Sequence, residues 1–431
     1  MQRTPRFPAS IKQSNARSPR AGKVLVGLAI VGLLILVGAT VTFYNRPHGL
    51  VTEIEVQPHV RIETRETPAA RGRTTREGAV KEAATGSLAS REGGEAAAAG
   101  ETRPEALALS DDLHEGALST LAGLGGRINV SNFDGNVATY VDLRTANLRD
   151  ADLESLKKLY DVRSLDLGRT AITDAALGVV GQLRELRELD LSQTAISDAG
   201  LRQLSALTHL HRLDLSGTPI DGSGFDALQA LTGLEELDLF ATRFNDAGLA
   251  QLARLTSLEI LYLRSTRVTD AGVARLAALK NLRTLSLRGT KITDASLRQL
   301  TGLSKLNWLG LKDTAITDDG LASIGQLESL QWLGLKGTTV TDAGLAHLQL
   351  LKNLSYLGIS GTNVTDAGLR ELARMRSLKM LSLDDTRIGD RGLEALDQIR
   401  GLEWLNVSST NVTDSGIAAL KEKLPDLEVV H

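Results

Sequence analysis

All three tryptophans of this 431-residue chain, Trp308, Trp332 and Trp404, are separated by multiples of 24 residues. The positions at that interval form one column: Ser164, Glu188, Arg212, Glu236, Ile260, Thr284, Trp308, Trp332, Tyr356, Met380, Trp404. Two residues on, a second column reads Asp166, Asp190, Asp214, Asp238, Tyr262, Ser286, Gly310, Gly334, Gly358, Ser382, Asn406. A third includes Phe240, Arg264, Arg288, Lys312, Lys336, Ser360 and Asp384. If the three columns share a surface, its N-terminal third carries four aspartates with Glu188, Glu235 and Glu236 beside them. Its C-terminal half carries an aromatic strip, a floor of glycines and a short basic row. The chemistry on offer is recognition without bond-making. Rings supply apolar contact area, glycines allow close approach, and the cations meet acidic groups.

Each column also has a plainer reading. The rings can fold over neighbouring glycines and shield the backbone, and Leu-Asp-Leu can be strand filler. His209 and His211 flank Leu210 but have no third ligand near them in sequence, so no metal site is expected. The chain has no cysteine, which excludes disulfides, thiolate metal sites and a Cys nucleophile. No phosphate-binding glycine loop or supported Ser/His/Asp arrangement occurs. Neither an enzyme nor a cofactor is expected. A net charge of -3 argues against bulk attraction to nucleic acid.

The interval itself says what positions these residues. Eleven threonines, from Thr170 to Thr410, follow one another at 24 residues without insertion or deletion. In one copy, Leu189 and Leu191 lie two apart and face one way in a strand, with Glu188, Asp190 and Ser192 facing the other. Leu201, Leu204 and Leu207 then recur at helical spacing. One turn is a short strand, a corner and a short helix. It cannot offset its own ordering entropy, so the turns must stack into a solenoid. The threonine column stands where the strand ends and is expected to form a buried hydrogen-bonded ladder. Ahead of each helix stands Thr173, Ser197, Asp221, Asn245, Thr269, Thr293, Thr317, Thr341, Thr365, Gly389 or Thr413, all types favoured at N-caps. The Asp that follows most of them suits the first helical turn.

The pattern L-x-x-L-x-L-x-x-T-x-I-T-D-A-G-L resembles the leucine-rich repeat, in a 24-residue variety found in many bacterial proteins. It is also similar to the repeats of F-box substrate receptors. The resemblance covers 141–431. It implies an α/β solenoid of about 12–13 turns: a curved right-handed horseshoe, with a parallel sheet on the concave face and short helices outside. It further implies a non-catalytic protein that binds others on that concave face. A protein or peptide partner is expected there, with an anionic glycan second. The candidate contact residues are Trp308, Trp332, Tyr356, Trp404, Tyr262, Met380, Arg264, Arg288, Lys312, Lys336, Gly310, Gly334 and Gly358.

The remaining segments read as five parts with the repeats. Residues 1–23 hold six cations and no acid, and 24–44 run without charge for about the length of a membrane-spanning helix. The basic flank should stay cytoplasmic, which places the repeats outside the cytoplasm. Cleavage near Ala39 would instead release a secreted chain. Residues 45–112 read as a disordered tether of mixed charge, and 113–140 as a cap built from a short helix and a hairpin around Asp134-Gly135. The last strand, at Leu427–Val430, is expected one residue out of register. An intracellular F-box-like adaptor is the competing reading. It needs a helical adaptor-binding domain where this sequence shows tether.

Overall fold

The computed structural model describes residues 39–46, 49–56, 105–133, 136–159 and 161–431. The chain divides into two compact units, residues 1–100 and 101–431. In the first, β1 (Ala39–Arg46) pairs antiparallel with β2 (Gly49–Val56), Ala39 opposite Val56 and Arg46 opposite Gly49. Residues 39–44 were expected to complete a membrane-spanning helix and are strand instead. The run Thr40-Val41-Thr42-Phe43-Tyr44 is β-branched and aromatic, which favours a pleated pairing over a helix. The rest of the expected span, 24–38, lies outside the described residues, as do 1–23 and 57–104. Among the described residues no helix is long and apolar enough to cross a membrane.

The second unit opens with α1 (Glu105–Gly123), eight residues inside the segment read as tether. Glu105-Ala106-Leu107-Ala108-Leu109 is a run of strong helix formers, enough to extend the helix upstream. A hairpin follows, β3 (Arg127–Phe133) with β4 (Asn136–Asp142), and α1 buries Ala117 and Leu121 beside Leu143. From β4 onward every strand pairs parallel with the next. These are β5 (Val162–Asp166) and the three-residue strands β6 to β16, which begin at Glu188, Arg212, Glu236, Ile260, Thr284, Trp308, Trp332, Tyr356, Met380, Trp404 and Glu428. Among the described residues the sheet has fourteen strands in chain order from β3 to β16. Register advances by 24 residues at each step, so Trp308 faces Trp332 and Gly310 faces Gly334. The last strand keeps that register too, with Trp404 opposite Glu428 and Leu405 opposite Val429. The expected one-residue offset is absent, because Val429 serves where a leucine usually does.

Leu186, Leu189, Leu191, Ile196, Leu201, Leu204 and Leu207 of one turn are all fully buried or within 1 % of it. Short α or 3-10 helices, such as Asp246–Leu252 and Asp294–Leu300, complete the turns opposite the sheet. A helical layer needs more room per turn than the roughly 4.8 Å between strands, which puts the sheet on the inside of the curve.

The threonine column is buried from Thr170 to Thr386 but is no ladder between turns. Each hydroxyl donates to the carbonyl three residues back in its own turn, Thr194 Oγ1 to Leu191 at 2.6 Å and Thr290 to Leu287 at 2.5 Å. The link between turns is made by the corner aspartates. Asp294 accepts the Thr317 N–H at 2.9 Å and its hydroxyl at 2.7 Å, and Asp318 does the same for Thr341 at 2.8 and 2.6 Å. The carboxylate thus reaches the cap residue of the following turn, while that hydroxyl accepts from its own helix, as Thr341 does from Ala343. This explains the glycine of the D-A-G-L corner. A Cβ at Gly320 would stand 2.4 Å from Asp294 Oδ1, and one at Gly344 2.4 Å from Asp318 Oδ1. Where Gly222 replaces the aspartate the chain of carboxylates is interrupted, and the rings of Phe225 and Phe244 pack 4.9 Å apart beside the gap.

Candidate functional site

Because register is constant, the outward positions of β5–β15 form the columns anticipated from the sequence. Their two ends are built differently.

At the C-terminal end Trp308, Trp332 and Tyr356 stack face to face. The first pair of centroids is 4.2 Å apart at 11°, the second 4.8 Å apart at 4°. A parallel sheet spaces its strands by nearly the thickness of this stack, so identical rotamers suffice to bring the rings together. Each ring also lies along its own strand over the glycine two residues on. A Cβ at Gly310 would come within 2.8 Å of Trp308, at Gly334 within 2.6 Å of Trp332, and at Gly358 within 2.9 Å of the Tyr356 hydroxyl. The glycine floor expected to admit a ligand is therefore covered by the rings, and Trp308 and Tyr356 keep only 5 % and 8 % of their surface exposed. Trp332 is half-buried. Met380 separates this triplet from Trp404, itself buried. Tyr262 stands apart in the next column, between Asp238 and Ser286.

The basic row is present, with company. The Arg264 guanidinium lies 4.0 Å over the Phe240 ring, Arg288 stands 3.8 Å from Asp313, and Lys336 3.3 Å from Asp384. Asp384 ends the row as the centre of a polar cluster. It accepts from Ser360, from Ser382 at 2.8 Å and from Asn406 at 3.2 Å. This cluster went unnoticed in the sequence, although its members share two adjacent columns.

At the N-terminal end each aspartate of the second column caps the chain leaving its strand. The N–H groups of Gly168, Ser192, Ser216 and Phe240 donate to Asp166, Asp190, Asp214 and Asp238 at 2.7–2.9 Å. Asn406 does the same for Ser408 at 3.0 Å, so the geometry needs an acceptor but not a charge. Stacked at strand spacing, the carboxylates oppose one another. Burial, with Asp214 beside it, pushes the Asp238 carboxyl up to about 7. Burial, then Asp190, raises Asp214, and burial raises Glu236. Arg144 pairs with Asp166, and Arg212 stands 3.5 Å from Glu236. A depression of about 220 Å³ opens between Arg144, Glu188, Asp190 and Arg212.

The two histidines point to different turns. His209 Nδ1 lies 3.2 Å from the Arg184 carbonyl and His211 Nδ1 3.0 Å from that of Gly233. Among the described residues no group of three metal-ligating side chains gathers.

A regular solenoid whose core repeats while its sheet face varies defines a binding scaffold. The chain belongs to the leucine-rich repeat family. A family model described as a leucine-rich repeat region matches residues 263–431, and a second leucine-rich repeat model matches 182–205 and 206–228, together half of the sequence. Among solved structures it is similar to an internalin of Listeria monocytogenes, with 22 % identity and a TM-score of 0.54 over 74 % of this chain and 94 % of that one. It is also similar to a leucine-rich repeat protein of Leptospira interrogans, with 18 % identity and a TM-score of 0.46 over 66 % and 88 %. The internalin likeness is one of fold. No curated protein sequence matches the chain.

Proposed function

We propose that this chain is a non-catalytic, membrane-tethered recognition protein, its repeats outside the cytoplasm, that holds a protein or peptide partner on the C-terminal half of its sheet face. The observation that carries the reading is the gathering of Trp308, Trp332, Tyr356, Met380 and Trp404 into one outward column of a sheet whose inward positions repeat leucine. Inward positions are alike from turn to turn and discriminate nothing. Only the outward columns differ, and the large aromatic side chains that dominate interface energetics are concentrated in one part of them. The ring edges, Met380 and the stems of the basic row offer a partner apolar contact rimmed by charge.

Export is supported by the six cations of 1–23 followed by the uncharged run that begins at Val24. Proteolysis of intact cells tests the location: repeats that resist digestion would refute it.

The site is tested by capture from an envelope extract with the full chain, wild type against Trp332→Ala. That substitution removes the middle of the stack and leaves the leucine ladder whole. Partner recovery should fall by about tenfold or more, with the cooperative unfolding transition retained. Undiminished recovery would sink the site.

A further inference from the structure

We infer that the segment held on the C-terminal half of the sheet face is acidic, and that the partner is a protein and not a sugar polymer. This deepens the proposed function and rests on its placing of the partner over β9–β13. The charge distribution carries it. Across β9–β13 the outward positions of strand and corner are Ile260, Tyr262 and Arg264; Thr284, Ser286 and Arg288; Trp308, Gly310 and Lys312; Trp332, Gly334 and Lys336; Tyr356, Gly358 and Ser360. These fifteen positions hold four cations and no carboxylate. The cations sit one to a strand on four consecutive strands, about 4.8 Å apart, and backbone pairing continues through the row. The Ser265 N–H donates to the Arg288 carbonyl at 2.7 Å, and Gly289 to that of Lys312 at 2.9 Å. Asp313 and Asp384 lie at its flank and its end, yet the Arg288 and Lys336 side chains keep 30 % and 36 % of their surface exposed.

The rings beside the row have the same preference. Both faces of Trp332 are used up against its neighbours, and Trp308 and Tyr356 keep only 5 % and 8 % of their surface exposed, so a sugar ring finds little face to stack on and edges, the electropositive rim of the aromatic quadrupole, are what remains for a ligand. The cations, each already in contact within the protein, leave the row a surplus of positive charge, and the ring edges beside it favour acceptors too. On the N-terminal side, Asp238, Glu236 and Asp214 would repel an acidic segment that strayed past β9, which fixes where it lies.

The full chain is titrated at low ionic strength with oligoglutamate, oligolysine and oligoserine of equal length, and with a heparin oligosaccharide. Tryptophan emission is the readout, since all three tryptophans of the chain lie in the ring column. Oligoglutamate should perturb it, and oligolysine and oligoserine should not. Reversing Arg264→Glu, Arg288→Glu, Lys312→Glu and Lys336→Glu together should abolish the response. The milder pair Lys312→Gln and Lys336→Gln, which spares folding, should weaken it about tenfold. A response to oligolysine but not oligoglutamate would overturn the acidic assignment while leaving the ring-bearing half as a binding face. A response to heparin alone would overturn the protein partner in favour of a glycan. Silence toward every probe, or a response unchanged in both variants, would overturn the inference, and the Trp332→Ala capture then shows whether the site itself survives.

Discussion

Strands β5–β8 and β10–β13 share one backbone, one register and one leucine core, yet their outward faces solve the same problem in opposite ways. In the first group the residue between the two inward leucines is an aspartate, which folds back on the chain and accepts the N–H two residues on. Glu188 and Arg212 beside it stay exposed. In the second group the same position is serine or glycine, and from β11 to β13 a ring from two residues earlier covers it. One face is wet and electrostatically strained, the other dry and stacked. The backbone permits both, so the choice between them is made by side chains alone.

Exchanging the two solutions should show which constraint is stronger. Gly334→Asp introduces the N-terminal residue type into the stacked half, where a Cβ would stand 2.6 Å from the Trp332 ring and its carboxylate would enter a buried site. Overpacking and an unpaired charge together should cost about 3 kcal/mol or more, read from the urea midpoint. The converse, Asp190→Gly, removes one capping acceptor and also one repelling charge, and should cost about 1 kcal/mol or less. Equal losses would mean that the rings do not dictate the glycines.

The acidic half should also betray itself by pH. An Asp238 carboxyl raised to about 7 binds its proton more tightly folded than unfolded. Between the ordinary aspartate range and pH 7 the folded state then carries more protons, so stability falls as pH rises through that window. Asp214 and Glu236 shift in the same direction and add to it. Asp238→Asn keeps the acceptor, as Asn406 does in the last full turn, and discards the charge. It should stabilise the protein by about 1–3 kcal/mol at pH 8 and by almost nothing at pH 4. A gain that is the same at both values would remove electrostatic strain from the comparison.

Much of this was legible from spacing. The constant interval fixes which residues share a column, and the Trp-Leu-Gly order already places a ring two residues from a glycine on one face of a strand. What spacing leaves open is where each side chain turns. Trp332 could extend toward solvent or lie down on Gly334, and only the stack with Trp308 and Tyr356 decides for the second. Likewise Asp294 stands in the first turn of its helix, where the dipole alone would justify it. Its attachment to Thr317 depends on how closely successive turns approach. The strand at 39–46 was missed because an uncharged run fits a helix as well as a hairpin until its pairing partner is known.

The smallest expected effect concerns a feature both halves share. The residue before every column threonine adopts positive φ, from Gln193 at 53° to Gly337 at 71°. In the N-terminal half that residue is Arg169, Gln193, Gly217 or Ala241, and in the C-terminal half glycine recurs at 289, 337 and 361. Left-handed backbone costs a residue with a Cβ about 1–2 kcal/mol, partly offset by the larger entropy that glycine loses on folding. Ala241, exposed at φ 55°, makes no side-chain hydrogen bond that glycine would forfeit. Ala241→Gly should therefore stabilise by up to about 1 kcal/mol. Gly289 offers the mirror experiment, because a Cβ there meets nothing closer than Ser265 Oγ at 3.4 Å and only the backbone is probed. Gly289→Ala should destabilise by a similar amount. Opposite signs of like size would show that the corner is one device repeated along the solenoid, leaving the difference between its ends to the outward side chains.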